Sequence, residues 1–535
     1  MIYQIYKIFR MLFFASFIVI SFYSIKFYEG SILIYMVYCL SLILMLFYLT
    51  DKKASYFEIF FSIYLFLGFW FKYVFSLILY NGIIYDSNVE QIPSKNIDEI
   101  LVLGIYIALT CLFSSYINKR YKKKELTQNS NNLESSFFIN LYLQNRITVL
   151  IIFLAFVILV AFFNLKLGIH QRGFLYDNEL HSTIINLFKW LLLFGFTTFS
   201  CFIFHVEIKK LKKLNIFTIV IILIEVFCSY TSMLSRSFII NSSSLLLPIY
   251  QQSAKLKKKY DIKIIMIFIM ILCLATISIF GVSNIRIEKV KIVIKEYKEL
   301  TEKKLIKSNN DLAVQEKLNN YNFQIPKKEL ENNKLNLKED SADSLIEQVA
   351  EEVAKDFNDI DESKISKTSS KDVINFILIN RWIGIDSLIL VSSSKNKGYD
   401  LFFRALKEDK DFIDYTFYEK EFGLVDVKTN VDTGKTVMKG NTLPGIISFL
   451  YYTGSPLFLL LSIILIFIVF NSLENFLSYI TGKNLIFICF ISNMIATRLF
   501  HFGYAPKDSY MFLTSIVLAI LFLIMLMRFR FRSPR

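Results

Sequence analysis

Apolar residues run along this chain in long unbroken stretches. They occupy about 9–25, 31–49, 57–80, 100–117, 147–164, 183–206, 215–234, 237–252, 263–283, 456–472, 485–500 and 511–527. A helix of roughly 20 residues crosses a hydrocarbon core about 30 Å thick, and most of these stretches approach that length. The pattern predicts an all-α polytopic membrane protein of about twelve spans, nine in residues 1–283 and three in 444–535. Between them lies a long polar segment, 284–443. A further apolar piece, PGIISFLYY, is too short to span and is cut off by Gly454 and Pro456. It reads as a re-entrant or interfacial helix.

Composition supports this class. The chain has 535 residues, 54% of them hydrophobic, with 54 Phe and a mean hydropathy of +0.48. Soluble domains are about 45–50% apolar. The formal net charge is +15. It lies in short clusters between the apolar runs: Lys7/Arg10, Lys52–Lys53, Lys119–Lys124, Lys209–Lys213, Lys255–Lys259 and the terminal RFRFRSPR. All fall on one side if both termini are cytoplasmic, as the excess of Lys and Arg in cytoplasmic loops requires. The charge is then topological, and no nucleic-acid partner is implied. The first apolar run carries no signal-peptidase site and reads as a retained helix. Loops 81–99, 165–182, about 235, 284–443 and 501–510 belong to the non-cytoplasmic side.

The six cysteines all sit in apolar segments and form no CxxC pair, so they read as small core residues. Four scattered histidines suggest no metal site and no cofactor. GxxxxGK[ST] and HExxH are absent, which argues against ATP-driven transport and zinc proteolysis.

Ionisable residues at or within membrane spans are the candidate chemistry. Arg236, in TSMLSRSFIINSS, lies where two spans meet with almost no loop. Arg381 and Asp386 lie in DVINFILINRWIGIDSLILVSS (372–393), read as a helix of about five turns docked on the outer ends of the spans. A guanidinium suits a phosphate or diphosphate, because its planar fork donates several hydrogen bonds at once. The plain alternative is a solvated loop helix. Lys72, in LGFWFK, and Glu225, in IILIEVF, fall in mid-span, either as a mutual ion pair or as functional groups. Arg172, with His170, Asp177 and His181, occupies the loop GIHQRGFLYDNELH. Arg498 and His501 occupy ATRLFHFGYAPKDSY. Tyr451 and Tyr452 suit sugar stacking or an interface belt. SLIEQVAEEVAKDF (344–357) spaces Leu345, Val349, Val353 and Phe357 as one amphipathic helical stripe.

Together, twelve spans, a large late loop, LGFWFK, LSRSFII, RWIGIDSLILVSS and YYTGSPL resemble the bacterial O-antigen or oligosaccharide repeat-unit polymerases of the Wzy type. The resemblance covers the layout of most of the chain, and its motifs are short. It implies a GT-C-like, metal-independent glycosyltransferase at the outer face of the inner membrane. Such an enzyme joins undecaprenyl-diphosphate-linked oligosaccharide repeat units, and its partners are membrane lipids, a chain-length regulator and a flippase. Arg236 and Arg381 would hold the diphosphate, helped by Lys72, Arg498 or Arg172. Asp386 or His501 would be the catalytic base. A lipid-linked oligosaccharide flippase, a polysaccharide ligase and a secondary transporter with Lys72 and Glu225 lining a central channel are the alternatives.

Overall fold

The computed structural model describes residues 2–51, 53–80, 94–122, 136–176, 180–211, 215–235, 237–253, 267, 269–286, 288–289, 291–292, 379, 382–408, 416–422, 431–432, 436–438, 443–502 and 506–529. Arg236, Arg381, Asp177 and the helix expected at 344–357 lie outside them.

Helices α1 (Ile2–Ser24), α2 (Ile32–Leu49), α3 (Tyr56–Phe66) and α4 (Lys72–Tyr80) open the chain. They are followed by α5 (Ser94–Lys122), α6 (Phe137–Gln144), α7 (Arg146–Leu167), α8 (Ser182–Trp190) and α9 (Phe196–Val206). Then come α10 (Ile216–Ser232), α11 (Phe238–Ser253) and α12 (Ile269–Arg286). The late segment adds α13 (Ile385–Ser393), α14 (Tyr399–Leu406) and α15 (Phe417–Glu421). Last are α16 (Gly445–Leu450), α17 (Pro456–Ile480), α18 (Leu485–Phe500) and α19 (Pro506–Arg528).

Among the described residues nine helices are long and apolar enough to cross a membrane. Three shorter apolar helices, Ile216–Ser232, Phe238–Ile249 and Leu485–Phe500, stand at the remaining predicted positions. The protein is therefore a polytopic helical membrane protein. Its outward side chains have the composition lipid demands: Ile147, Ile152, Leu457, Leu461 and Leu465 are all more than half exposed. Polar groups turn inward. Glu58, Glu207 and Glu225 are fully buried. The span formed by α3 and α4 is 67% buried and that formed by α8 and α9 is 78% buried, against 22% for α17 and α19, so the first two form the centre of the bundle.

Local capping starts the central helix. Ser55 accepts from the Glu58 N–H while the Glu58 carboxylate accepts from the Ser55 N–H, a reciprocal capping box. Glu58 also accepts from Ser115, Asn118 and Asn471 (2.7–3.2 Å), so one buried carboxylate ties α3, α5 and α17 together.

The turns separate into two groups at opposite ends of the bundle. At one end Arg10 meets Asp51, Lys119 donates to the Tyr48 carbonyl, Arg146 pairs with Glu207 and Arg528 donates to the Ile480 carbonyl. At the other, the Ser31 N–H donates to Asp98, the Arg172 N–H to the Met233 carbonyl and the Gly445 N–H to the Phe502 carbonyl.

Beside the helices, β1 (Phe174–Tyr176), β2 (Val431–Asp432) and β3 (Thr436–Met438) form a small antiparallel sheet in the order β1-β3-β2. Strands this short leave almost no periodic signal. One expectation is corrected: within the helix expected across 372–393, of which 372–378, 380 and 381 lie outside the described residues, Ile379 is helical but Trp382–Gly384 form a bend before α13 begins at Ile385. The short piece before Gly454 is enclosed by protein. All six residues of α16 are buried, followed by a single 3-10 turn, Tyr451–Thr453, and Gly454 at φ +70°. Non-helical backbone at such a place is stable only where protein surrounds it.

Candidate functional site

The site forms where the late segment meets the central helix. Between α3 and α4 the helix widens into a π turn, Leu67–Phe71. Such single wide turns recur at functional sites, because they open one face of the helix. Gly68 lies in that face. A Cβ on Gly68 would stand 2.2 Å from the Ile383 carbonyl oxygen, and one on Gly384 would stand 2.3 Å from the Gly68 carbonyl oxygen. The two backbones therefore touch, and any side chain at either position would collide with backbone.

One turn beyond Gly68, Lys72 Nζ lies 2.8 Å from Asp386 Oδ2, and both residues are buried. Asp386 occupies the first turn of α13 and also accepts from the Gly384 N–H at 3.2 Å. An anion near a helix N-terminus is favoured by the unpaired N–H groups there. Removing a lysine or a carboxylate from water costs several kcal/mol per ion, which only a paired and hydrogen-bonded partner offsets. The pair thus keys the late segment into the bundle. It replaces the Lys72–Glu225 pair that mid-span placement suggested.

The docked segment is gripped from its other side. Ser387 Oγ is 2.7 Å from the Pro444 carbonyl and 2.9 Å from Ser448 Oγ on α16. Gly445, at φ +70°, sits at the start of that helix, and a Cβ there would be 3.1 Å from the Phe500 carbonyl. These contacts bring the end of α18 against the same assembly. There His501 Nδ1 lies 2.8 Å from the Thr497 carbonyl. A carbonyl only accepts, so Nδ1 is the donor in this contact.

A buried polar chain leads away from this point. Tyr64, one turn before Gly68, contacts Thr497 Oγ1 (2.6 Å) and donates to Asn493 (3.2 Å). Asn493 donates to Asn241 (3.0 Å), and Asn241 to the Ser237 carbonyl (3.0 Å). Ser237 and Ser235 hydroxyls lie 2.5 Å apart, on either side of Arg236 in the chain. The sequence reading did not single out Tyr64, Asn241 or Asn493. Asparagines inside apolar helices were the available signal, because a buried amide in a membrane bundle needs partners. The 168–176 loop joins the same end: Phe174 packs with Leu234 and Val282, and β1 pairs with β3.

The remaining candidates are placed as follows. Arg498 lies at the end of α18 with its guanidinium 5.8 Å from the Phe512 ring centre. Arg172 is exposed, and its carbonyl accepts from Arg286. Desolvation first, and the charges of Lys189 and Arg172 next, push His170 down to about 3, so this imidazole carries no charge at neutral pH. Tyr452 is buried among Phe417, Phe422 and Phe449, with no face left for a sugar. Tyr451 is half-buried with Lys397 Nζ 5.8 Å from its ring centre. Among the described residues no group of three or more His, Cys, Asp or Glu side chains is placed to hold a metal.

Glu225 is fully buried and accepts from Ser200 (3.1 Å), Thr197 (3.4 Å) and Ser229 (3.4 Å). Its neighbours are hydroxyls, and Lys72 pairs elsewhere. Glu225→Gln keeps an oxygen acceptor in place, so its melting temperature should stay within a few degrees of wild type, equivalent to about 1 kcal/mol. A collapse in stability as large as that of a broken Lys72–Asp386 pair would revive a central charged channel.

The fold and the site define a helical membrane protein in which the stretch from Trp382 to Ser393 is tied into the bundle by an ion pair. The chain matches no protein-family model, no curated protein and no solved structure.

Proposed function

We propose that this protein is a polysaccharide polymerase of the inner membrane, twelve-spanning and GT-C-like, with both termini cytoplasmic. It joins oligosaccharide repeat units carried on undecaprenyl diphosphate into a long surface glycan. The observation that carries this reading is the Lys72–Asp386 pair with its Gly68–Gly384 contact. It fixes Trp382–Asp386 in the bundle beside α16 and the end of α18, which carries His501. Such an end suits a substrate whose headgroup is charged and whose tail is in lipid.

In the proposed reaction an acceptor hydroxyl attacks the anomeric carbon of the donor glycan. His501 Nε2 takes the hydroxyl proton as the new C–O bond forms. The bond from the anomeric carbon to the diphosphate oxygen breaks, and the lipid diphosphate leaves with the electron pair. Arg236 and Arg381, with Arg498, would stabilise the charge that develops on it. Asp386 becomes a positioning residue, since its carboxylate already holds Lys72 and the Gly384 N–H. Lys72 is likewise reassigned from the diphosphate to the docked loop.

A deletion strain tests the class directly. Loss of a polymerase leaves surface glycan of a single repeat on a gel, whereas loss of a flippase leaves none. Arg236→Ala and Arg381→Ala should each remove long-chain glycan at normal protein level, by a factor of about 100 if one charge-assisted contact of roughly 3 kcal/mol is lost. Wild-type chain lengths in both variants would defeat the assignment.

A further inference from the structure

Helix α14 presents three distinct faces. Leu401 and Ala405 are buried, and Phe402 packs on Phe449 and Phe458. Asp400, Arg404 and Lys407 form a charged face, with Asp400 and Arg404 paired at 3.0 Å. The third face is apolar and outward: Tyr399 is 53% exposed, Phe403 54% and Leu406 39%. Positions i, i+4 and i+7 fall within about 60° around a helix, so these three make one stripe. A soluble surface does not explain an aromatic stripe on a helix that already buries another face.

The stripe is continuous with a lipid-facing surface. The Gly398 N–H donates to the Tyr452 carbonyl (2.8 Å), which ties the start of α14 to the turn preceding α17. Tyr399 meets the Phe458 ring edge-on at 5.8 Å, and the neighbouring Leu457 is 67% exposed. Helix α17 has 25 residues and is only 22% buried by protein. At a rise of roughly 1.5 Å per residue it is about 37 Å long, a little more than the hydrocarbon thickness, so its first turn stands at the membrane boundary. Tyr510, 69% exposed near the start of α19, presents an amphipathic ring of the kind that aromatic belts use.

We infer that α14 is a membrane-interface helix, with Tyr399, Phe403 and Leu406 seated among lipid acyl chains and Arg404 and Lys407 at the headgroups. The occupant of the stripe is the bilayer. The helix would set the depth at which the docked segment meets the membrane. This inference needs only the membrane embedding of the bundle and is independent of the proposed reaction.

Photo-crosslinking of the full-length protein tests it. A benzophenone amino acid replaces Phe403, Leu406 or Arg404 in turn, and each variant is placed in nanodiscs of phosphatidylethanolamine and phosphatidylglycerol. Unchanged yield and melting of each variant confirm that the fold persists. After irradiation, mass spectrometry should find phospholipid adducts at positions 403 and 406 at about five times or more the level at 404, as burial of one helix face in the acyl boundary requires. Adducts to a co-purifying protein at 403, adducts to another part of this chain, or equal lipid labelling at 403 and 404 would each overturn the inference.

Discussion

Lys72→Met is expected to leave the Asp386 carboxylate buried without its cation, and to destabilise docking of the late segment by about 3–5 kcal/mol. A loss of that size raises the undocked population by a factor of roughly hundreds to thousands, and the long-chain glycan of the proposed polymerase should fall although the spans remain inserted. Asp386→Leu, which strands the lysine, should do the same. The pair identifies its own control. In the double variant Lys72→Met/Asp386→Leu no charge is left unpaired, and apolar replacement of a buried pair is often close to neutral. Thermal melting of the four purified proteins closes a double-mutant cycle, and the coupling should reach several kcal/mol. If the double variant is as unstable as the sum of the singles, the two groups do not act together and the site as described is wrong. Glycan length on a gel separates the structural role from a chemical one. Recovery of both stability and polymer in the double variant would assign the pair to positioning. Recovery of stability alone would assign one of its members to the reaction.

Gly384→Ala should be nearly as damaging, although it removes no interaction. The new methyl group would stand 2.3 Å from the Gly68 carbonyl oxygen, and Gly68→Ala would place one 2.2 Å from the Ile383 carbonyl oxygen. Neither obstacle is a flexible side chain, so relief requires the two backbones to part by more than an ångström. That movement lengthens the 2.8 Å contact between Lys72 and Asp386. Overpacking in a tight interior costs about 1–3 kcal/mol, and backbone separation with loss of the ion pair adds to it. The expected readout is release of the segment: trypsin added to the purified protein should cut at Lys395 or Lys397 about tenfold faster, which corresponds to about 1.4 kcal/mol of easier opening. Gly398→Ala is the matched control, since nothing lies within 4 Å of a Cβ there. If all three variants are cut alike, backbone contact at Gly68 does not hold the segment.

Much of the architecture was legible in the residues because membrane spans are written in one dimension. A helix satisfies its own backbone, so an apolar run of sufficient length is enough to place it. The runs at 31–49, 147–164 and 456–472 correspond to α2, α7 and α17 within a few residues at their starts. Residue chemistry also marked Lys72 and Asp386 as unusual, Lys72 as an ionisable group in a span and Asp386 as an acid inside RWIGIDSLILVSS. What could not be read was that they belong together. They are separated by more than three hundred positions, and Glu225 was an equally plausible partner for a mid-span lysine.

The sequence alone determined that this is a membrane protein of many helices with one long polar segment, because apolar length and charge clustering are local quantities. Only the tertiary structure decided that the stretch beginning at Trp382 packs into the bundle, that Gly68 and Gly384 make room for it, and that Lys72 neutralises Asp386 while hydroxyls hold Glu225. Those choices depend on which helices neighbour one another and how a π turn opens a single face. They are fixed by the fit of surfaces in three dimensions, for which a linear pattern carries no coordinate.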